Sequence, residues 1–173
     1  NGIDSKMVNL VTKAGIILMH EALKAEFPIK GVLSQGKFTY DSKNELYFGR
    51  PLVHAALLHD ELYYYGIVVH HTAEKVIKNN ISVDCPYAKN AVCLKKGKTS
   101  HYHLVWNRMQ INLSPGDITP KAKQWLEKIE ETVSGGPRIY IDNTYAIIQY
   151  DSEHFEESVK QKDNASVTTG YSM

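Results

Sequence analysis

The sequence feature that most constrains the fold is an abrupt change of pattern at Gly49. The stretch Glu45 to Phe48 predicts a short strand, Gly49 breaks it, and Pro51 suits the first turn of a helix, where its missing N–H has no partner to lose. The helix is predicted to run from Pro51 to about Tyr64, with its apolar positions at Leu52, Val53, Ala56, Leu57 and Leu62. A fold that contains this segment therefore places a helix start directly beside a strand end.

The segments before Gly49 predict a helix followed by a hairpin. The helix spans Lys6 to Phe27 and ends at Pro28, because the residue before a proline avoids the α region. Its apolar stripe comprises Met7, Leu10, Val11, Ala14, Ile17, Leu18 and Leu23. The stretch Ile29 to Phe48 is predicted to be the hairpin, with a turn at Asp41-Ser42-Lys43-Asn44.

The segments after the second helix predict further strands and helices. They are a strand over Gly66 to His71, a helix capped by Thr72 and ending at Lys78, a strand over His101 to Trp106, and a helix over Thr119 to Val133. The pattern of Ile139 to Tyr150 fits either a helix or a strand, and the helix is favoured. This order of elements predicts an α+β fold. Residues from Gln161 onward are polar and are predicted to form a mobile tail.

Composition restricts the class of partner. The 173 residues carry 20 basic and 19 acidic side chains, so a net charge of +1 provides no long-range field for a nucleic acid or an anionic membrane. No apolar run approaches the roughly 20 residues that span a bilayer. Two cysteines without CxxC spacing are typical of reduced thiols in a cytoplasmic protein. The opening Asn1-Gly2-Ile3-Asp4 is neither an initiator methionine nor a signal peptide, and we expect that it continues a longer sequence.

Arg50 and His54 are the strongest candidates for a ligand site. The start of the second helix offers free N–H groups and a partial positive charge, which favour anions. Arg50 adds a forked set of donors that suits phosphate, and His54 lies one helical turn further along the same side. The alternative is a surface helix with a solvated arginine and a half-buried histidine, and on local grounds that alternative is the more common.

Histidine pairs elsewhere raise the question of a metal site. His70 and His71 are predicted to point to opposite faces of a strand, so they cannot both bind one ion. His101 and His103 share a face, but two ligands without a neighbouring carboxylate or thiolate make a weak site. The sequence therefore favours a structural role for these histidines and supplies no metal ligands.

Three segments in order resemble class III adenylyl and guanylyl cyclases. Lys30-Gly31-Val32-Leu33-Ser34-Gln35-Gly36 is similar to the RxGIHxG strand of that family, and Leu46 to Leu57 is similar to its DxxGxxVNxAxR segment. Gly66-Ile67-Val68-Val69 and the short helix after it match the next strand and helix. The resemblance implies a ferredoxin-like, cyclase-type sheet with helices on one face, incomplete at its N-terminus. It assigns residues 1–80 to the cyclase-like part, 81–160 to a C-terminal extension packed on the same domain, and 161–173 to the tail.

The same resemblance implies a function. Family members form homodimers and convert a nucleoside triphosphate into a cyclic nucleotide with Mg²⁺ or Mn²⁺, held by two aspartates on strands that would precede Asn1. It implies that His54 is catalytic and that substrate contacts come from Arg50, Phe48, Leu46 and Lys30. Arg50-x-x-x-His54 also resembles a pairing in bacterial pyrimidine cyclases of antiphage signalling, which makes cyclic CMP or cyclic UMP the candidate products.

Three positions depart from the family pattern. Val53 and Leu57 stand where the family has a transition-state asparagine and an arginine, and Leu46 stands where an aspartate selects adenine. None of these side chains donates a hydrogen bond. Two other hypotheses therefore stand beside the cyclase: a catalytically inactive nucleotide-binding or dimerisation module on the same scaffold, and an α+β interaction domain without a nucleotide site.

Overall fold

A computed structural model describes residues 5–168, with side chains as far as Phe155 and that of Glu157. The helices are α1 (Ser5–Lys24), α2 (Arg50–Glu61), α3 (His71–Asn80), α4 (Thr119–Glu130) and α5 (Gly136–Thr168). The strands are β1 (Gly31–Leu33), β2 (Thr39–Asp41), β3 (Leu46–Phe48), β4 (Ile67–Val69), β5 (Tyr87–Leu94) and β6 (Gly97–Leu104), and a short 3₁₀ helix (Trp106–Arg108) follows β6.

Four of the strands form one mixed sheet in the order β1-β4-β6-β5. β1 and β4 are parallel, with Val32 opposite Val68, and β6 is antiparallel to both β4 and β5. The long β5–β6 hairpin supplies half of the sheet, so residues 81–160 complete the same sheet that β1 and β4 begin. The predicted α+β class is confirmed.

The predicted hairpin from Ile29 to Phe48 is only partly correct. Its turn forms as predicted, because the Asp41 carboxylate accepts hydrogen bonds from the backbone N–H groups of Lys43 and Asn44, and β2 pairs with β3 across it. β1, however, leaves the hairpin and pairs in parallel with β4. The Gly31 position makes this close approach possible, since a Cβ there would lie 3.2 Å from Cγ1 of Ile67.

Helices cover both faces of the main sheet, so the prediction of helices on one face is wrong. Ile67, Val69 and Leu104 point into a core shared with α1, α3 and α4. Val68 and Val92 point to the opposite face and pack against Ile147 of α5. The alternation of side chains along each strand makes both faces apolar, and each face therefore needs a covering layer.

The apolar stripe predicted to bury α1 is largely the exposed side of that helix. Met7, Leu10, Val11, Ile17 and Leu18 are 37–63% exposed, whereas Val8, Ile16, Met19 and Leu23 are buried. The helix meets the sheet at Gly15, where a Cβ would lie 3.0 Å from Leu104 and 3.1 Å from Ile67. The buried side also holds Thr12 and His20, whose polar atoms bond to Val8 O, Tyr87 Oη and Trp106 O. Because Thr12 and His20 are polar, the buried side of α1 does not appear as a continuous apolar stripe in the sequence.

Smaller differences concern the ends of helices. α2 ends at Glu61, so Tyr63-Tyr64-Tyr65 lies beyond it, and α3 is capped by His70 rather than Thr72. α5 confirms the helix predicted over Ile139 to Tyr150 and continues its backbone to Thr168; the predicted mobile tail otherwise falls on 169–173, outside the described residues. Within residues 5–168, no helix has the length and apolar character to cross a membrane.

Candidate functional site

A cleft lies between the starts of α2 and α3 and the loop that follows β1. It measures about 470 Å³, within the range of small-ligand sites. We call it the α2–α3 cleft and define it by its lining residues: Gln35, Gly36, Lys37, Arg50, His54 and Thr72. The structure thus places both leading sequence candidates, Arg50 and His54, around one space.

Close packing of two glycines holds the loop against the start of α2. A Cβ at Gly36 would lie 2.7 Å from Cγ of Pro51, and a Cβ at Gly49 would lie 2.6 Å from the carbonyl oxygen of Lys37. The Ser34 hydroxyl donates to Pro51 O at 2.7 Å and closes the same contact. The change of pattern at Gly49 therefore has a packing cause as well as a conformational one, since larger residues would push the loop away from the helix.

Thr72 joins the loop to the start of α3. Its hydroxyl oxygen accepts a hydrogen bond from the N–H of Gln35 at 3.1 Å and lies 3.0 Å from Nδ1 of His70. Nδ1 of His70 in turn accepts from the N–H of Thr72 at 3.3 Å and so caps α3. The hydroxyl proton of Thr72 is then available to Nδ1, so this nitrogen accepts and Nε2 carries the hydrogen of His70.

Three imidazole rings cluster beside the cleft, with His54 stacked on His70 and His71 tilted against both. The ring centroids of His54 and His70 lie 4.7 Å apart, those of His70 and His71 4.1 Å apart, and those of His54 and His71 6.3 Å apart. The prediction that His70 and His71 point apart is wrong, because His71 already belongs to α3 and the chain turns between them. The pKa of His70 is lowered. Burial is the largest cause, and positive charge on His71, His54 and His101 is the next.

The charge of the cleft is positive. Arg50 is exposed at the start of α2, Lys37 lies across from it, and no carboxylate lines the space. No side chain caps the start of α2 at Gly49. Pro51 has no N–H, and the N–H of Leu52 donates to Gly49 O at 3.1 Å, so the dipole of α2, rather than a set of free N–H groups, adds to the charge of Arg50.

The other three predicted site residues lie outside the cleft lining. Leu46 and Phe48 stand on β3 and are 54% and 56% exposed. The Lys30 amine donates to the carbonyls of His59 and Leu62 at the far end of α2 and lies 5.2 Å from the ring centre of Tyr140. Burial lowers the pKa of Lys30. Its contacts satisfy the last carbonyls of α2, which is a structural role.

Sequence reasoning missed Gln35, Gly36, Lys37 and Thr72 as parts of the site. Gly36 was a signal, since a glycine in an extended segment marks a close approach of another backbone. Lys37 and Gln35 carried no signal of their own, because their position depends on the pairing of β1 with β4 rather than with β2.

An exposed apolar surface adjoins the cleft. It consists of side chains on the β2–β3 hairpin and the outer side of α2, each 42–64% exposed: Phe38, Tyr40, Leu46, Tyr47, Phe48, Leu52, Val53 and Leu57. We call it the hairpin–α2 surface. Tyr40 and Tyr47 stack on it with centroids 4.8 Å apart. Leu46 and Phe48 alternate with Tyr47 along β3, so they point to the opposite face of the hairpin from the Tyr40–Tyr47 stack.

The described side chains do not form a metal site. Among them, no group of three or more His, Cys, Asp or Glu residues is placed to hold an ion. The clustered imidazoles of His54, His70 and His71 do not converge in that way. The cationic side chains of the cleft, Arg50 and Lys37, suit the oxygens of an anion.

Comparison with known proteins yields no relative. No protein-family model, no curated protein and no solved structure matches the chain.

Proposed function

We propose that this chain binds a nucleoside triphosphate in the α2–α3 cleft and forms the nucleotide-binding portion of a homodimeric class III nucleotidyl cyclase. The observation that carries the proposal is the convergence of Arg50 and Lys37 on one space beside His54, at the start of α2. Phosphate oxygens suit each of these donors. The resemblance of Lys30 to Gly36 and Leu46 to Leu57 to cyclase segments supplies the reaction class.

The roles within the cleft follow from chemistry. Arg50 is permanently charged and forked, so it holds phosphate or a base edge by two parallel hydrogen bonds. His54 sits one turn along α2, where an imidazole reads a base edge or moves a proton. Cytosine and uracil are the proposed bases, because the Arg50-x-x-x-His54 pairing resembles that of pyrimidine cyclases. The products would be cyclic CMP or cyclic UMP.

Binding is tested by titration with each of the four nucleoside triphosphates and with inorganic triphosphate. Arg50→Ala is expected to weaken binding by about tenfold or more, since a charge-assisted contact contributes about 1.5–3 kcal/mol. Lys75→Ala is the matched control, because it removes one positive charge from the exposed side of α3 outside the cleft. Equal losses in both variants would point to a general charge effect and contradict the site.

Catalysis is tested on protein that includes the strands expected before Asn1, by incubation with Mn²⁺ or Mg²⁺ and each nucleoside triphosphate, followed by chromatography for cyclic product and pyrophosphate. Cyclic CMP or cyclic UMP that disappears in His54→Ala supports the cyclase. Binding without any product favours the second candidate, a catalytically inactive nucleotide-binding or dimerisation module. That candidate has its own support, since Val53 and Leu57 are apolar and 58% and 64% exposed at positions where the family has hydrogen-bonding residues.

The homodimer is proposed to form through the hairpin–α2 surface. Exposed large apolar side chains on the hairpin and α2 are typical of a surface that contacts another protein, and contact there would place a second copy beside the cleft. Leu57→Glu is expected to shift the chain from dimer to monomer in sedimentation equilibrium. Leu10→Glu, on the equally exposed side of α1, is the matched control and should leave the dimer intact. A monomeric wild type would contradict this part of the proposal.

A further inference from the structure

Helix α1 is covered on one side only. Its buried side, which includes Ile16 and Met19, packs against β6, α3 and α4. The opposite side exposes a row of apolar side chains, which we call the α1 stripe: Met7, Leu10, Val11, Ala14, Ile17 and Leu18. Single exposed apolar residues are normal on a protein surface, but a continuous row of them is typical of a site that contacts another molecule.

The spacing of the α1 stripe fits a second helix. Its first three members recur seven residues later as its last three, and a seven-residue apolar repeat is the pattern with which two helices pack side by side. From Met7 to Leu18 the stripe extends about 17 Å at 1.5 Å per residue, which is three turns of helix. Ala14, near its centre, has a short side chain and lets the backbone of a partner helix approach.

Lysines line one edge of the α1 stripe. Lys6, Lys13 and Lys24 share a side of α1, because steps of seven and eleven residues are close to whole numbers of helical turns. The acidic residue of α1, Glu21, is held by Lys24 at 2.9 Å. The helices beside α1 continue this excess of positive charge: α1, α3 and α4 together carry eight lysines and four glutamates, whereas the whole chain has 20 basic and 19 acidic residues. This side of the molecule is therefore basic, and an acidic partner complements it.

We propose that the α1 stripe binds an acidic amphipathic helix of another protein. The apolar side chains of that helix pack on the stripe, and its Asp or Glu residues lie beside Lys6 and Lys13. A second α1 is a poorer match, since it brings the same excess of lysine. The proposal does not depend on the α2–α3 cleft, which is lined by residues of other elements.

An anionic lipid surface also attracts lysine and apolar side chains, but α1 fits it less well. Helices that lie on a membrane usually place Trp or Phe among their apolar residues, and α1 contains no Trp, Tyr or Phe. The lysines of α1 also follow a single edge of the stripe, which matches a neighbouring helix better than a plane of headgroups. A helix is therefore the occupant that the pattern of α1 favours.

Fluorescence anisotropy with a designed peptide tests the proposal on the whole chain. The peptide has three heptads with Leu at a and d and Glu at e and g, and a peptide of the same composition in scrambled order is its control. Wild type is expected to bind the patterned peptide about tenfold or more tightly than the scrambled one. Leu18→Glu should remove that preference. Leu57→Glu, at a similarly exposed position of α2, is the matched control and should keep it.

The role of charge is tested separately. Lys13→Glu should weaken binding of the acidic peptide several-fold, and the loss should shrink at high salt because exposed charges are screened. Lys43→Glu makes the same change of charge in the turn between β2 and β3 and should bind as wild type does. A peptide with Lys in place of Glu should reverse the order and bind Lys13→Glu more tightly than wild type. Equal effects of Lys13→Glu and Lys43→Glu would overturn the acidic character of the partner.

Two further measurements keep the outcomes distinct. Circular dichroism is expected to show an unchanged fold in Leu18→Glu, since Leu18 is 58% exposed. Co-sedimentation with vesicles of phosphatidylserine and phosphatidylcholine tests lipid as the occupant. Vesicle binding that Leu18→Glu abolishes, without any preference for the patterned peptide, would overturn the proposal in favour of a lipid surface. Absence of both kinds of binding would overturn it as well and would leave the proposed nucleotide site standing.

Discussion

The two helices on the α5 side of the sheet, α5 and α2, differ in the side chains that they bury and expose. Under α5, the His103 imidazole donates to the Asp151 carboxylate at 2.8 Å, with the two side chains only 1% and 2% exposed. Around α2, by contrast, Leu52, Val53 and Leu57 are 42–64% exposed. One region buries ionisable groups and the other exposes apolar ones.

This difference separates a region that belongs to the buried core from a surface that is open to contact with another molecule. A buried pair such as His103 and Asp151 fixes how α5 sits on the sheet, because each group loses its hydrogen bond if the helix shifts. Contact between apolar side chains and water is unfavourable, so an exposed apolar surface is typical of a site that contacts another molecule. The α2–α3 cleft lies at the edge of that second region, which is why we place both ligand and second copy there.

The largest expected effect concerns the buried pair. His103→Leu leaves the Asp151 carboxylate buried without its imidazole and should lower the free energy of unfolding by about 3–5 kcal/mol, as measured by chemical denaturation. His59→Leu is the control, since His59 and Asp60 form an exposed pair that contributes about 0–1 kcal/mol. The double variant His103→Leu with Asp151→Leu should recover part of the loss. Similar values for His103→Leu and His59→Leu would remove the contrast between the two regions.

A second prediction compares neighbouring residues on α1. Ile16 is fully buried and Ile17 is 46% exposed. Ile16→Ala should lower the free energy of unfolding by about 2–5 kcal/mol through the cavity that it leaves, and Ile17→Ala by less than about 1 kcal/mol. The reverse order of midpoints in denaturation would show that the stripe read from the sequence is the buried one after all.

The smallest expected effect concerns the loop beside the cleft. Thr72→Val removes the acceptor for the Gln35 N–H and should cost about 1 kcal/mol of stability while it weakens triphosphate binding. Thr99→Val, at an exposed position of β6, is the control and should change neither quantity. Unchanged binding in Thr72→Val would mean that the position of the loop does not matter to the site.

Local signals in the sequence were sufficient for several elements. The strand, glycine and proline from Leu46 to Pro51 predict the start of α2 correctly, because the chemistry of Gly49 and Pro51 acts within a few residues. The turn at Asp41 to Asn44 forms for the same reason, through side-chain contacts to the neighbouring backbone. Arg50 and His54 could be paired as candidates because one helical turn separates them.

The sequence did not predict contacts between segments that are distant along the chain. β1 is a three-residue strand whose partner could be β2, next along the chain, or β4, more than thirty residues later, and only burial of Val32 and Leu33 against the completed sheet decides between them. The same decision brings Gln35 and Lys37 to the cleft. The side of α1 that packs on the sheet likewise depends on Gly15. Its missing side chain allows a close approach only where Leu104 and Ile67 lie beside it.

The sequence was enough for the α+β class, which follows from the order of the elements, and for the start of α2 and the pairing of Arg50 with His54, which depend on residues a turn or less apart. Tertiary packing determines which side of α1 is buried, that both faces of the sheet are covered, and that His54, His70 and His71 cluster beside one cleft. Those outcomes depend on the free energy of packing between segments distant in sequence, and periodicity within a segment carries no information about the partner it will meet.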